Sequence, residues 1–142
     1  MAKAAMAHDD VPVGAIVLKD GVIIGRGENR READNDPSAH AEIIAMRKAA
    51  KAVGSWNLTG CTLYVTLEPC PMCAGAILQS RMDGVYFGAF DGVAGCCGSL
   101  YNFLSDERFN HRAKVVGGIL REPCADLLKQ FFKDKRVKYA LY

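Results

Sequence analysis

Two short segments of this 142-residue chain hold side chains that can do chemistry together. One is His40-Ala41-Glu42 and the other is Pro69-Cys70-Pro71-Met72-Cys73. Cysteines three apart at the start of a helix can turn both sulfurs toward one point. The positive helix end there favours the thiolate, the form that binds metal. One imidazole and two thiolates are enough to hold Zn²⁺ and leave a fourth tetrahedral position for water. Water held in this way loses a proton near neutral pH and becomes a nucleophile. Glu42 lies two residues past His40, beside the metal without having to ligate it, where it can move protons. A metalloprotease would instead place two His four residues apart on one helix.

Each segment also has a plainer explanation when taken alone. A Cys-x-x-Cys pair serves redox chemistry or a structural zinc corner, and a lone His at a helix start is commonly a cap. A closed structural site needs a fourth ligand, for which Cys61, Cys96, Cys97 and Cys124 are the formal candidates. Cys61 and Cys124 sit in apolar strand and helix contexts and read as core. Cys96 and Cys97 are adjacent in a Gly-rich loop, an arrangement that serves one tetrahedral ion poorly, and their role stays open.

The elements that must position these residues are legible. Val13 to Leu18 and Val22 to Ile24 flank Asp20-Gly21, a hairpin signal because Gly supplies the positive φ of a tight turn. Residues 28–38 are polar and turn-forming. Ser38 or Asp36 can cap a helix from about Ala39 to Ala52, with Ile43, Ile44, Met46 and Ala50 as its apolar stripe. Cys61 to Thr66 reads as a central strand that runs into the Cys70 segment and a second helix ending near Ser80. Val85 to Phe87 and Lys114 to Val116 are further strands. Leu100 to Leu104 suggests a short helix, and Pro123 to about Arg136 a last amphipathic one. A hairpin followed by alternating helices and strands predicts one sheet covered by helices.

Composition agrees. Half the residues are apolar, 24% are charged and the formal net charge is +2, which excludes a disordered chain. The length suits a single domain, 1–142, able to bury its own core. No run reaches the roughly 18 to 20 apolar residues of a membrane span. The first ten residues lack the apolar stretch of a secretory signal, so the chain reads as cytoplasmic and its cysteines as thiols or ligands.

His-x-Glu, a spacer of 27 residues and Pro-Cys-x-x-Cys together form the signature of zinc nucleobase deaminases. Beyond that signature, the chain resembles the bacterial tRNA-specific adenosine deaminases from Val11 to Arg136. The resemblance runs through Val11 to Ala15, Asn29-Arg30, Asp36 to Glu42, Thr62 to Cys70, Cys73 to Ala76, Gly98 to Leu100, Asn110 to Arg112 and Phe131-Phe132. It implies an α/β, cytidine deaminase-like three-layer fold: a five-stranded mixed sheet with helices on both faces, in a homodimer. It further implies one Zn²⁺ per chain on His40, Cys70 and Cys73, with Glu42 as the proton shuttle. Asn29 would hydrogen-bond the base, the Ala41 backbone would orient it and Val13 would pack on its face. Asp91 would lie beside a flipped nucleotide, and Phe132 and Arg136 would touch a tRNA anticodon stem-loop. Two features depart from the family: its first helix is reduced to about Ala2–Ala7, and Val93 stands where relatives often carry a polar or basic residue.

The last helix carries Lys129, Lys133, Lys135, Arg136 and Lys138 against one Asp134, with Phe131 and Phe132 among them. Aromatics between cations suit stacked bases and phosphates, although one Phe is expected in the core. Arg30 and Arg31 can add phosphate contacts or be simply solvated. Two other functions fit the zinc motif: a guanine or other free-base deaminase, and a non-enzymatic zinc-stabilised RNA-binding module. Glu42, a non-ligand with no evident structural duty, argues against the second.

Overall fold

The computed structural model describes the backbone of residues 1–140 and the side chains of residues 1–136, so the Lys138 side chain lies outside the described residues. In chain order the elements are α1 (Ala2–Met6), β1 (Gly14–Lys19), β2 (Val22–Glu28), α2 (Ala41–Val53), β3 (Cys61–Leu67), α3 (Pro71–Gln79), β4 (Gly84–Ala89), a 3-10 turn (Phe103–Ser105), β5 (Lys114–Val116) and α4 (Arg121–Ala140). Asp20 and Gly21 both take positive φ, 50° and 75°, as a two-residue hairpin loop of the I′ kind requires. The strands form one sheet in the order β2-β1-β3-β4-β5. β1 is antiparallel to β2 and β3, while β3, β4 and β5 run parallel. The sheet is therefore mixed, with β3 at its centre as the two-sided apolar pattern predicts.

Alternation along the strands divides the side chains between two layers. Val17, Leu63 and Val85 point into the main core, where they are fully buried with Ile77 of α3 and Met82. α2 and α3 cover that face. On the other face a side chain at Gly14 would strike Met1 and Ala2 of the α1 segment, and one at Gly88 would strike Cys124 of α4. Helices thus cover both faces of the sheet.

α2 approaches β2 more closely than its sequence suggests. Its buried residues are Ala41, Glu42, Ala45, Met46 and Ala49, whereas Ile43, Ile44 and Ala50 of the expected stripe are only half-buried. The small alanines face inward because β2 presents Gly25 and Gly27 to them. A Cβ at Gly25 would lie 2.2 Å from the Ala45 carbonyl oxygen, and one at Gly27 2.2 Å from that of Ala41. The large isoleucines are displaced to the flanks.

The expected cap of α2 is also corrected. His40, at φ −78° and ψ 150°, is the N-cap residue and makes no side-chain capping bond. Asp36 instead closes its own turn, accepting the Ser38 N–H at 2.8 Å and the Ser38 hydroxyl at 2.7 Å. The helix starts two residues later than the apolar pattern indicates. Its N-cap position is taken by a side chain that faces Cys70 and Cys73 rather than its own backbone. Between Leu100 and Leu104 only the turn Phe103–Ser105 forms, since Cys97 and Asn102 pair as a β-bridge.

Gly25→Ala tests the close approach. The obstructing atom is backbone, so α2 must lift from the sheet, and overpacking of this kind destabilises by about 1–3 kcal/mol. The variant should show a lower urea midpoint at unchanged m. Parental stability would mean that α2 does not rest on β2 at this distance.

Candidate active site

The two chemical segments meet where two helices begin. His40 is the N-cap residue of α2, and Cys70, at φ −74° and ψ 176°, is that of α3. Pro71 occupies the first turn of α3, where its missing N–H removes no helix bond, and Cys73 follows one turn into the helix. His40 Nδ1 stands 3.6 Å from Cys70 Sγ and 3.6 Å from Cys73 Sγ. One donor atom from each of the three residues lies within 4.8 Å of the others. Bonds of about 2.3 Å to sulfur and about 2.0–2.1 Å to nitrogen, set tetrahedrally, give a nitrogen–sulfur edge of about 3.6 Å. The three residues therefore fit a tetrahedral metal ion as they stand. They are the only such group of His, Cys, Asp or Glu among the described residues.

The remaining cysteines take no part. Cys61, Cys96 and Cys97 are buried in the core, and Cys124 is half-buried under Gly88. None of the six cysteines is in a disulfide.

Electrostatics favour a cation at this point. The Cys73 thiol donates to the Cys70 sulfur, which holds Cys70 down at about 4 and pushes Cys73 up. The bond to Cys70 in turn raises the His40 imidazole. A bound metal takes the place of that shared proton. Glu42 is buried beside the cluster. Burial raises its carboxyl above the usual carboxylate range, against an opposing bond from its own backbone N–H.

A cavity of about 170 Å³ opens in front of this group. Its walls include His40, Ala41, Glu42 and Cys70, joined by Val13, Asn29 and Asp91 from three other segments. All seven were singled out from the sequence. Cys73 lies buried behind them. Asn29 is held by its N–H to Val13 O at 3.0 Å, and its side-chain oxygen accepts the Arg31 N–H at 3.4 Å. Its amide nitrogen has no protein partner among the described residues. Asp91 Oδ1 accepts the N–H groups of Val93 and Ala94 at 3.0 and 3.1 Å, and Val93 itself is exposed.

Arg31 also lines the cavity, whereas Arg30 is turned away into ion pairs with Asp34 at 3.1 Å and Glu28 at 3.7 Å. Phe132 and Arg136 do not line the cavity; both are exposed on α4, while Phe131 is buried, as expected of one of the pair. The sequence reading missed Glu68, Leu67, Val11 and Ala94 as lining residues. Only Glu68 carried a signal, a charged residue between an apolar strand and a Pro-Cys pair.

A mixed sheet on which His-x-Glu and Pro-Cys-x-x-Cys meet at two helix starts is the arrangement of the nucleobase deaminases. The chain belongs to the MafB19-like deaminase family, whose model matches residues 1–136. It is 52% identical over 137 residues to the tRNA-specific adenosine deaminase of Bacillus subtilis, covering 96% of this chain and 85% of that protein. A solved structure from work on A-to-I editing by tRNA:A34 deaminases superposes with a TM-score of 0.86 at 42% identity, over 89% of this chain and 92% of that one. The guanine deaminase of Nitrosomonas europaea shares the fold at a TM-score of 0.78 and 26% identity, over 92% of this chain and 78% of its own.

The burial of Glu42 has a measurable sign. Between the unfolded carboxyl pKa and the raised folded one, the native state keeps a proton that the unfolded state has lost, so stability falls as pH rises. Metal-free Glu42→Gln should therefore melt above metal-free parent at about pH 8 and close to it at about pH 4, below both carboxyl values. Equal melting at both pH values would show that this carboxyl is not desolvated.

Proposed function

We propose that this chain is a zinc-dependent enzyme that hydrolyses adenosine to inosine at the wobble position of a tRNA anticodon loop. The observation that carries the reading is the buried Glu42 carboxyl beside a His/Cys/Cys cluster at a cavity of about 170 Å³. The relatives named above supply the substrate class. A zinc-stabilised binding module would have no use for a buried carboxyl that ligates nothing.

Zinc held by His40, Cys70 and Cys73 would supply the Lewis acid that makes water a nucleophile near neutral pH. Glu42 accepts a proton from the attacking water and passes it to adenine N1, so that oxygen can add to C6. It then takes the remaining proton of the added hydroxyl and delivers it to the amino group, so that C6=O forms as the C6–N bond breaks and ammonia leaves. Water and adenosine give inosine and ammonia. A carboxyl held above its usual range suits this task, since it must hold and release a proton near neutral pH. Val13 packs on the purine face, the Ala41 backbone orients the ring, Asn29 hydrogen-bonds it and Asp91 stands beside the nucleotide. Because Glu42 is buried at the cavity, the target base must leave its stack to reach it, which a tRNA loop allows at small cost.

Binding of the loop falls to the exposed face of α4, where Phe132 and Arg136 stand with Lys129 and Lys133. Met72, Leu100 and Tyr101 are exposed apolar side chains that a second copy would cover in a homodimer. No helix among the described residues is long and apolar enough to cross a membrane. A tRNA substrate places the work in the cytoplasm.

The protein should bind about one Zn²⁺ per chain, and Cys70→Ala or Cys73→Ala should lose it, by elemental analysis. Glu42→Gln should keep the metal and lose deamination by at least about 10²-fold. Ammonia release is to be measured side by side on an anticodon stem-loop, free adenosine, guanine and cytidine. Turnover of guanine in place of the stem-loop would overturn the substrate assignment.

Substrate contacts separate by salt. Phe132→Ala and Arg136→Ala should weaken stem-loop binding, with Arg136→Ala also flattening its salt dependence. Asn29→Ala removes a contact to the base itself, and its penalty of about 1–3 kcal/mol should persist at high salt. Unchanged binding and salt slope in both α4 variants would sink the anticodon-loop reading.

A further inference from the structure

Glu68 is a carboxylate 1% exposed, two residues ahead of Cys70, and the chemistry above gives it no task. Its Oε1 accepts the Asp91 N–H at 3.1 Å and the Ser99 hydroxyl. Its Oε2 accepts the N–H groups of Cys97 at 3.1 Å and Ser99 at 2.9 Å. Pro69 O accepts the Cys96 N–H at 2.9 Å. The loop of residues 91–99 is thereby stitched to the stretch that delivers Cys70. Gly95 closes the arrangement, because a Cβ there would sit 2.4 Å from the Glu68 carboxyl carbon. Glu68, Asp91 and Cys70 all line the same cavity.

We propose that Glu68 is a positioning residue for the substrate. It acts through Asp91, holding that wall of the cavity at a set place relative to Cys70. This rests on the reading of Asp91 as a neighbour of the nucleotide. Four donors converge on Glu68, so it must accept on both oxygens, which an amide cannot do. In Glu68→Gln the least costly orientation places the amide nitrogen at the Oε1 position. There the Ser99 hydroxyl can rotate to accept from it, but the Asp91 N–H loses its partner. The damage falls on Asp91 and leaves the bonds of Cys97 and Ser99 N–H in place.

The test uses the zinc-loaded full chain with an anticodon stem-loop, measuring kcat, KM, zinc content and hydrogen exchange at the Asp91 amide. Glu68→Gln should raise KM about tenfold, the scale of one lost bond to a charged group. It should leave zinc content unchanged and kcat within about twofold of parent, and it should speed exchange at Asp91. The double variant with Asp91→Ala should be no worse than the poorer single variant, since both act through one contact. An unchanged KM in Glu68→Gln, or effects that multiply in the double variant, would overturn the proposal. If Asp91→Ala itself leaves KM unchanged, the reading of Asp91 fails and takes the proposal with it. If Asp91→Ala raises KM and Glu68→Gln does not, the proposal alone falls. Should Glu68→Gln not fold, Ser99→Ala decides: it removes one donor and frees the carboxylate to shift, so KM should rise and exchange at Asp91 should quicken, and parental values of both would overturn the proposal.

Discussion

The cavity depends on two helix N-termini brought to one point. Each carries roughly half a positive charge from its unpaired N–H groups, so two of them side by side repel unless anionic charge lies between them. The Cys70 sulfur, held as thiolate, supplies that charge at the meeting point. The approach itself is made possible at the other side of α2, where Gly25 and Gly27 let the Ala41 and Ala45 carbonyls rest against β2. A bulkier β2 would move His40 away from Cys70 and Cys73 and dissolve the group as a unit.

This arrangement has a local price. The N-cap positions of α2 and α3 are held by His40 and Cys70, and neither caps its helix. A Ser, Thr, Asp or Asn at such a position contributes about 0.5–2 kcal/mol that these residues forgo. Glu42 adds a second unfavourable feature, a carboxyl moved from water into the interior. Both lie within the cavity wall or directly beside it, while the sheet and the cores on its two faces follow ordinary patterning.

Ordinary patterning explains what was legible in the sequence. The hairpin, the central place of β3 and the strand-to-helix run into Cys70 follow from local pattern and turn chemistry. The meeting of His40, Cys70 and Cys73 with Glu42 beside them was readable because their spacing has no better use on a helix start. The inner face of α2 was not readable, since a hydrophobic stripe is sought among large side chains and here the buried row is alanine. Asp36 and Ser38 have the residue types of a cap and serve a turn instead. Glu68 was passed over because its partners, three backbone N–H groups and the Ser99 hydroxyl, lie 23 to 31 residues on, which no pattern in the chain announces. His111, part of a segment by which the family is recognised, bonds Met82 O at 2.7 Å and so belongs to the scaffold.

The placement of α4 carries a consequence for how such a protein can change over generations. Phe131 anchors the helix from its inner side, while Phe132, Lys133 and Arg136 face outward and touch no part of the cavity wall. Mutations on that outer row leave the positions of His40, Glu42 and Cys70 undisturbed. Selection can therefore revise what the surface of the helix greets without rebuilding the apparatus behind it. Gly25, Gly27 and Glu68 have no such latitude, because each is fixed by atoms of another segment.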